Sequence, residues 1–183
     1  MKRSIIIYAI LLLAINTVTA QKYYTKNGNI SFFSKTAMED IKADNNQVMS
    51  ILDTKTGDLQ FSVLVKSFHF QKALMEEHFN ENYMESNKFL KALFKGTITD
   101  PSKIDFSKDG VYKVNVSGEM NLHGVTKKIV SNGTITINAG IITASSIFPI
   151  KLAEYEISIP KLVKDNIAET INITVNCILD QKI

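Results

Sequence analysis

YKVNVSGEMNL, residues 112–122, is the stretch whose reading decides the fold. Its even positions are Tyr112, Val114, Val116, Gly118, Met120 and Leu122; its odd positions are Lys113, Asn115, Ser117, Glu119 and Asn121. Successive side chains of a strand leave on opposite faces, so one face here is apolar and the other wet. That is the pattern of a half-buried antiparallel strand. Lys108-Asp109-Gly110 ahead of it supplies a turn, with Gly free to take positive φ. His123-Gly124 ends it, and Val125–Asn138 resumes as the hairpin partner.

The same logic extends in both directions. Gly28–Lys35 and Gln47–Asp53 read as early strands, and Lys55-Thr56-Gly57-Asp58 turns the second into Leu59–Phe70. In that long strand Leu59, Phe61, Val63 and Val65 share one phase while Phe68 and Phe70 take the other, which requires a bulge or bend near Lys66-Ser67. Ala92–Thr99, Ile141–Ile150 and Glu169–Leu179 follow, with a short extended piece around Ile157–Ile159. The total is about eight to ten strands, the spacing of an all-β sandwich or barrel. Only Gln71–Tyr83 has helical period: Leu74 and His78 lie four apart, as do Met75, Phe79 and Tyr83, beside a polar face of Glu76 and Asn80. One helix inserted among strands suggests a lid over an open end.

The N-terminus reads as a secretory signal. Met1-Lys2-Arg3 is basic, Ile5–Ile15 is apolar, and Val18-Thr19-Ala20 offers small residues for cleavage after Ala20. The apolar run is shorter than the ~20 residues that span a bilayer. The expected division is therefore residues 1–20 as signal and 21–183 as one mature domain, exported and without a membrane span. No Cys stands at the cut, so a lipoprotein is not expected. The formal charge is +3, and without Lys2 and Arg3 there remain 19 basic against 18 acidic residues. Such balance carries no electrostatic footprint for nucleic acid. The lone cysteine, Cys177, falls in phase with Ile171, Ile173, Val175 and Leu179 and reads as a small buried hydrophobe.

Catalytic and metal chemistry find little support. His69, His78 and His123 lack metal-ligand spacing, and Glu77 points about 100° away from His78 on a helix. No Gly-x-Ser-x-Gly, phosphate loop or haem-attachment motif is present in the sequence. Neither a catalytic residue, a metal site nor a cofactor is expected. Four glycosylation-type triplets, at Asn29, Asn115, Asn132 and Asn172, read as exterior strand positions. What stands out is aromatic: Phe68, Phe70, Phe79, Tyr83, Phe89 and Phe94 lie within a short stretch. They compose either a plain hydrophobic core or the lining of a pocket beside the lid.

Residues 61–86, FSVLVKSFHFQKALMEEHFNENYMES, and residues 88–96, KFLKALFKG, resemble the YceI-like family. So does GEMNLHGVTK, residues 118–127, which is similar to the family's strand-turn-strand signature. Leu90 stands where the family usually carries Pro, and Gly28–Asp53 lacks the family's glycine-rich second strand. The resemblance implies an antiparallel, lipocalin-like β-barrel in the periplasm, with the short helical segment as lid. It also implies a long apolar isoprenoid or fatty lipid as the bound partner. By position, Phe68, Phe70, Phe79, Tyr83, Phe89 and Phe94 would line the cavity with Met120 and Leu122. A homodimer is compatible with such a barrel. Against the lipid carrier stand two other readings: a structural or protein-interaction barrel filled by its own side chains, and an accessory enzyme using His78 and Glu77.

Overall fold

The computed structural model describes residues 21–183; the expected signal segment lies outside them. Ten strands run in chain order: β1 (Lys22–Lys35), β2 (Asp40–Asp53), β3 (Asp58–Leu64), β4 (His69–Phe70), β5 (Lys91–Ile98), β6 (Gly110–Leu122), β7 (Val125–Asn138), β8 (Ile141–Lys151), β9 (Thr170–Leu179) and β10 (Gln181–Lys182). Every pairing is antiparallel. Neighbours follow β1-β9-β8-β7-β6-β5-β3-β2, and β2 returns to β1, so eight strands close a barrel. The two short strands prolong the ring: β4 pairs with β2 and β10 with β1.

The deciding hairpin forms as its alternation requires. β6 and β7 pair without a break from Gly110↔Ile137 to Leu122↔Val125. Its turn, and the β7–β8 turn, have positive φ at both central residues: 51° and 80° at His123-Gly124, 49° and 77° at Ala139-Gly140. That primed geometry matches the right-handed twist of the flanking strands. Asn115 and Asn132, paired across it, are both exposed.

The expected break near Lys66-Ser67 is a 3-10 turn, Val65–Ser67, which separates β3 from β4 and resets the phase. β1 and β2 are longer than the alternation suggests. Their pairing shifts register around Gly28, opposite Val48, and in β2 the buried side changes from Ala43 and Asn45 to Val48 and Ser50. Fully buried Asn45 fits this bulge because Nδ2 donates to the Leu64 carbonyl at 2.8 Å and Oδ1 accepts from the Gln47 amide at 2.9 Å. Ile157–Ile159 joins no ladder: it follows a 3-10 turn, Leu152–Tyr155, and a left-handed Glu156, and leads into Pro160. The helix is shorter than its period suggests. α1 spans Ala73–His78, and Phe79–Tyr83 continues it as a single π-type turn.

Two apolar clusters divide the interior. At one end Tyr23, Leu52, Leu59, Ile98, Ile135, Ile137, Ile142 and Leu179 pack as a solid floor. Toward the other, Ile30, Phe32, Val63, Phe68, Ile150, Leu152 and Tyr155 form a wall, with Phe79, Tyr83, Met120, Leu122 and Phe148 partly buried against it. No helix among the described residues is long and apolar enough to cross a membrane.

Candidate functional site

Above the floor the barrel is hollow. A cavity of about 480 Å³ opens there, within the range of small-molecule sites. Its wall is the inward face of the alternating strands: Ile30 and Phe32 from β1, Phe61 and Val63 from β3, Phe94 from β5, Val116, Met120 and Leu122 from β6, Phe148 and Ile150 from β8, Ile173 and Val175 from β9. Leu74, Met75, His78, Phe79 and Tyr83 close it from the helical side, so the whole stripe read at helical spacing faces the cavity. The segment acts as a cap. α1 buries none of its own residues and has no side-chain N-cap, so the contacts of its underside hold it.

Those contacts are aromatic. Phe79 lies 5.5 Å from Phe32, 5.6 Å from Phe68 and 5.0 Å from Phe70, centroid to centroid. Phe32 in turn lies 5.4 Å from Phe68 and 5.7 Å from Phe70. Four rings thus join cap to wall in tilted, edge-on and stacked arrangements, which aromatic quadrupoles favour. Phe94 lies opposite Phe61, 6.1 Å away, as a cross-strand pair. Its ring also covers paired Gly96 and Gly118: a Cβ at either would strike the Phe94 ring and a neighbouring strand's backbone. The glycines make room for an inward aromatic that any larger residue would displace.

Of the aromatics singled out in the sequence, Phe68, Phe70, Phe79, Tyr83 and Phe94 line the cavity, as do Met120 and Leu122. Phe89 stands apart from that wall. Glu85, at a φ of 42°, turns the chain after the cap, and Phe89 packs outside the chamber on His123, 4.4 Å between rings, against Gly124. Lys88 Nζ sits 4.6 Å from its centroid. Phe89 braces the β6–β7 turn, which His123 also secures: Nδ1 lies 3.1 Å from the Tyr155 carbonyl and Nε2 3.1 Å from Glu85 Oε2. Sequence reasoning missed Phe32, the wall's aromatic hub, and Phe148. Both had a signal in the alternations Ile30, Phe32, Ser34 and Ala144, Ser146, Phe148, Ile150.

Polar groups cluster at the cavity's margins. Lys72 Nζ pairs with Glu39 Oε1 at 3.0 Å, and Asn166 Nδ2 donates to Glu39 Oε2 at 3.3 Å. The Lys72 hydrogen bond, then that of Asn166, holds the Glu39 carboxyl below its ordinary range. Burial raises the Tyr83 phenol. His78 reaches the rim of the cavity, whereas Glu77 forms no part of its wall. Glu76 instead accepts from the Phe70 amide at 3.2 Å and lies 3.4 Å from His69 Nδ1. Cys177 is fully buried, its Sγ 3.8 Å from the Asn29 carbonyl, and burial pushes its thiol up to about 12. That environment suppresses the thiolate on which cysteine reactivity depends.

A closed antiparallel barrel, solid at one end and hollow and apolar at the other, defines a class of chamber proteins built to enclose something rather than to present an edge. The chain belongs to the YceI-like family, whose domain model matches residues 16–179. Among solved structures it is similar to a polyisoprenoid binding domain from Saccharophagus degradans implicated in plant cell wall breakdown (15% identity, TM-score 0.74, covering 87% of this chain and 97% of that one). It is also similar to BcnA of Burkholderia cenocepacia (16% identity, TM-score 0.68, 82% and 95% covered). A YCEI protein from Campylobacter jejuni is more distant in shape (16% identity, TM-score 0.51, 73% and 81% covered). At these identities the likeness is one of fold. No curated protein matches the chain by sequence.

Proposed function

We propose that this protein is an exported, periplasmic lipid carrier that holds one long apolar isoprenoid or fatty molecule inside the barrel for transport, storage or sequestration. The observation that carries the reading is the chamber: about 480 Å³ of space walled by Phe32, Phe61, Phe94, Met120, Phe148 and their neighbours. A slender hydrocarbon needs no charge to hold it there, since burial contributes roughly 25 cal/mol per Å² of apolar area. The Saccharophagus degradans domain, described as polyisoprenoid binding, supports the isoprenoid side of the proposal. The hydrophobic N-terminal segment supports export. A barrel filled by its own side chains fits the floor but not the space above it. An enzyme built on His78 and Glu77 would need both groups at the chamber, and only His78 reaches it.

The test is to purify the protein with its own leader and without detergent, then combine native mass spectrometry with solvent extraction. A stoichiometric adduct released as a polyprenyl or fatty species is the expected result. An apo mass that also ignores added isoprenols and fatty acids would overturn the reading.

A further inference from the structure

Along the seam between β7 and β8 the ladder stops halfway, next to the chamber. β6 pairs with β7 over its full length, down to Val125. β8 pairs with β9 as far as Lys151↔Thr170. Between β7 and β8, however, pairing runs only from Asn138↔Ile141 to Gly133↔Ser146. Beyond that fork Val125–Asn132 of β7 and Ile147–Lys151 of β8 find no partner in each other. The unpaired part of β7 is about 25 Å long.

The two ends of the break are tied. At the fork Ser131 Oγ meets Ser146 Oγ at 2.8 Å, and Ser146 Oγ donates to the Asn132 carbonyl at 2.7 Å. At the far end His123 reaches the Tyr155 carbonyl, and Leu152, Tyr155 and Ile157 fill the space in the same cluster as Leu122 and Val125. What stays open lies next to the fork. There the cavity is lined by Ile129 and Ser131 on one strand and Ser146 and Phe148 on the other. Thr134 and Ser145, a laddered pair just inside the fork, also border it. The cavity therefore runs up to the unpaired stretch of the wall.

The residue types agree that these edges are unpaired by design. A bare strand edge invites pairing with another chain, and Lys or Pro on it prevents this. β7 carries Lys127 and Lys128 on its unpaired stretch, and β8 carries Pro149 and Lys151 on its own. Proline is tolerated within a sheet only where a strand has a free edge or a bulge. The outer lips next to the fork are apolar instead: Val130 is 76% exposed and Ile147 69%.

We propose that this break is a lateral portal, through which a long hydrocarbon chain slides between Ile129–Ser131 and Ser146–Phe148 into the chamber while the cap stays in place. The proposal rests on the carrier reading above. A chain passing there moves from apolar lips to apolar wall, past the Ser131 and Ser146 hydroxyls, which are bonded to each other, and the backbone groups of the two bare edges.

The experiment bridges the lips. Val130→Cys and Ile147→Cys, both outward and outside the cavity wall, are introduced together and joined by a short bismaleimide with a cleavable disulfide. Native Cys177 stays buried and unmodified. Stopped-flow fluorescence then follows cis-parinaric acid, a fluorescent polyene fatty acid, before bridging, after it, and after cleavage of the linker. The portal requires at least a tenfold fall in both association and dissociation rates, a Kd within about twofold, and recovery on cleavage. Unchanged rates in a fully bridged protein overturn it. So does slowing only when Leu74→Cys is bridged to Val163→Cys, which would route the ligand beneath the cap. If the unbridged protein neither binds the probe nor carries lipid in native mass spectrometry, the carrier reading itself fails. Binding with indifference to the bridge defeats the portal alone.

Discussion

Replacing Phe79 with Ala should release the cap while leaving the barrel folded. A helix of six residues is too short to persist alone in water, and α1 buries none of its own residues. Its attachment is concentrated in the Phe79 ring, which meets Phe32, Phe68 and Phe70 at 5.5, 5.6 and 5.0 Å. Truncating a fully buried Phe costs about 3–5 kcal/mol. Phe79 is only partly buried, which lowers the area contribution. The three ring pairs, at about 0.5–1.5 kcal/mol each, do not add because they share one cluster. About 2–3 kcal/mol is the expected loss. If it falls on the cap alone, hydrogen exchange at residues 73–83 should quicken by about 30- to 150-fold. Floor amides such as those of Ile135, Ile142 and Leu179 should change by less than about threefold. Circular dichroism should keep its β signal, and cis-parinaric acid should bind more weakly because one wall of its site is gone. Exchange at 73–83 that does not change would refute the anchoring role. An equal rise across the floor strands would refute the separation of cap from barrel and make the segment part of one cooperative core.

Two further perturbations probe the frame. Cys177, with its thiol at about 12 against an ordinary 9.0, should resist Ellman's reagent at pH 8 in the native protein and react on unfolding. The unfolded thiol ionises first, so the contribution to stability is intact below pH 9 and falls as pH rises toward 12, by up to about 4 kcal/mol. Cys177→Ala should reduce that slope, leaving the part contributed by Tyr83 and Tyr155, whose phenols burial also raises; a slope unchanged in this variant would assign it elsewhere. Gly118→Val places carbon against the Lys95 carbonyl, Gly96 and the Phe94 ring. Such overpacking costs about 1–3 kcal/mol, read from the urea midpoint, and should weaken lipid binding by pushing Phe94 into the chamber. A variant as stable and as tight-binding as the parent would show that the Gly96–Gly118 floor under Phe94 is not needed.

Much of this architecture was legible because a strand's period is strict. β6 and β7 alternate without a fault and pair without one, and the phase change after Val65 predicted a break that appears as a 3-10 turn. Where the alternation is interrupted, the strands were read short. In β2 the bulge puts polar Asn45 and Ser50 inside, and for Asn45 only its local surroundings, the Leu64 carbonyl and the Gln47 amide, reveal why. The cap's stripe was legible, but its π turn was not, since i, i+4 spacing does not distinguish one extra residue per turn. Nearness in sequence and position in the family resemblance both group Phe89 with the cavity aromatics. The left-handed Glu85 separates it from them, and nothing in residue type announces a backbone turn at a glutamate. Alternation also says which face is inward without saying whether the interior is filled.

The hollow nevertheless has a sequence cause, visible once the inward positions are aligned. At the floor they carry Leu52, Leu59, Ile98, Ile135, Ile142 and Leu179, all nearly inaccessible. One layer up, β5 to β8 interleave the small inward residues Ala92, Gly96, Gly118, Ser131, Gly133 and Ser146 with the large Phe94, Val116, Met120, Leu122 and Phe148. β1, β3 and β9 line the chamber mainly with large side chains, Ile30, Phe32, Phe61, Val63, Ile173 and Val175, so the space is left where β5 to β8 turn small residues inward. Space of this kind forfeits packing contacts, a cost that selection for stability alone would remove by enlarging those residues. Ser131, Gly133 and Ser146 lie where the β7–β8 ladder stops. Small inward residues, an unpaired seam with lysines and proline on its edges, and a cap held by a few aromatic rings all lie around the same chamber. A filled structural barrel would need none of them, whereas a protein that must admit, hold and release a long apolar chain needs all three.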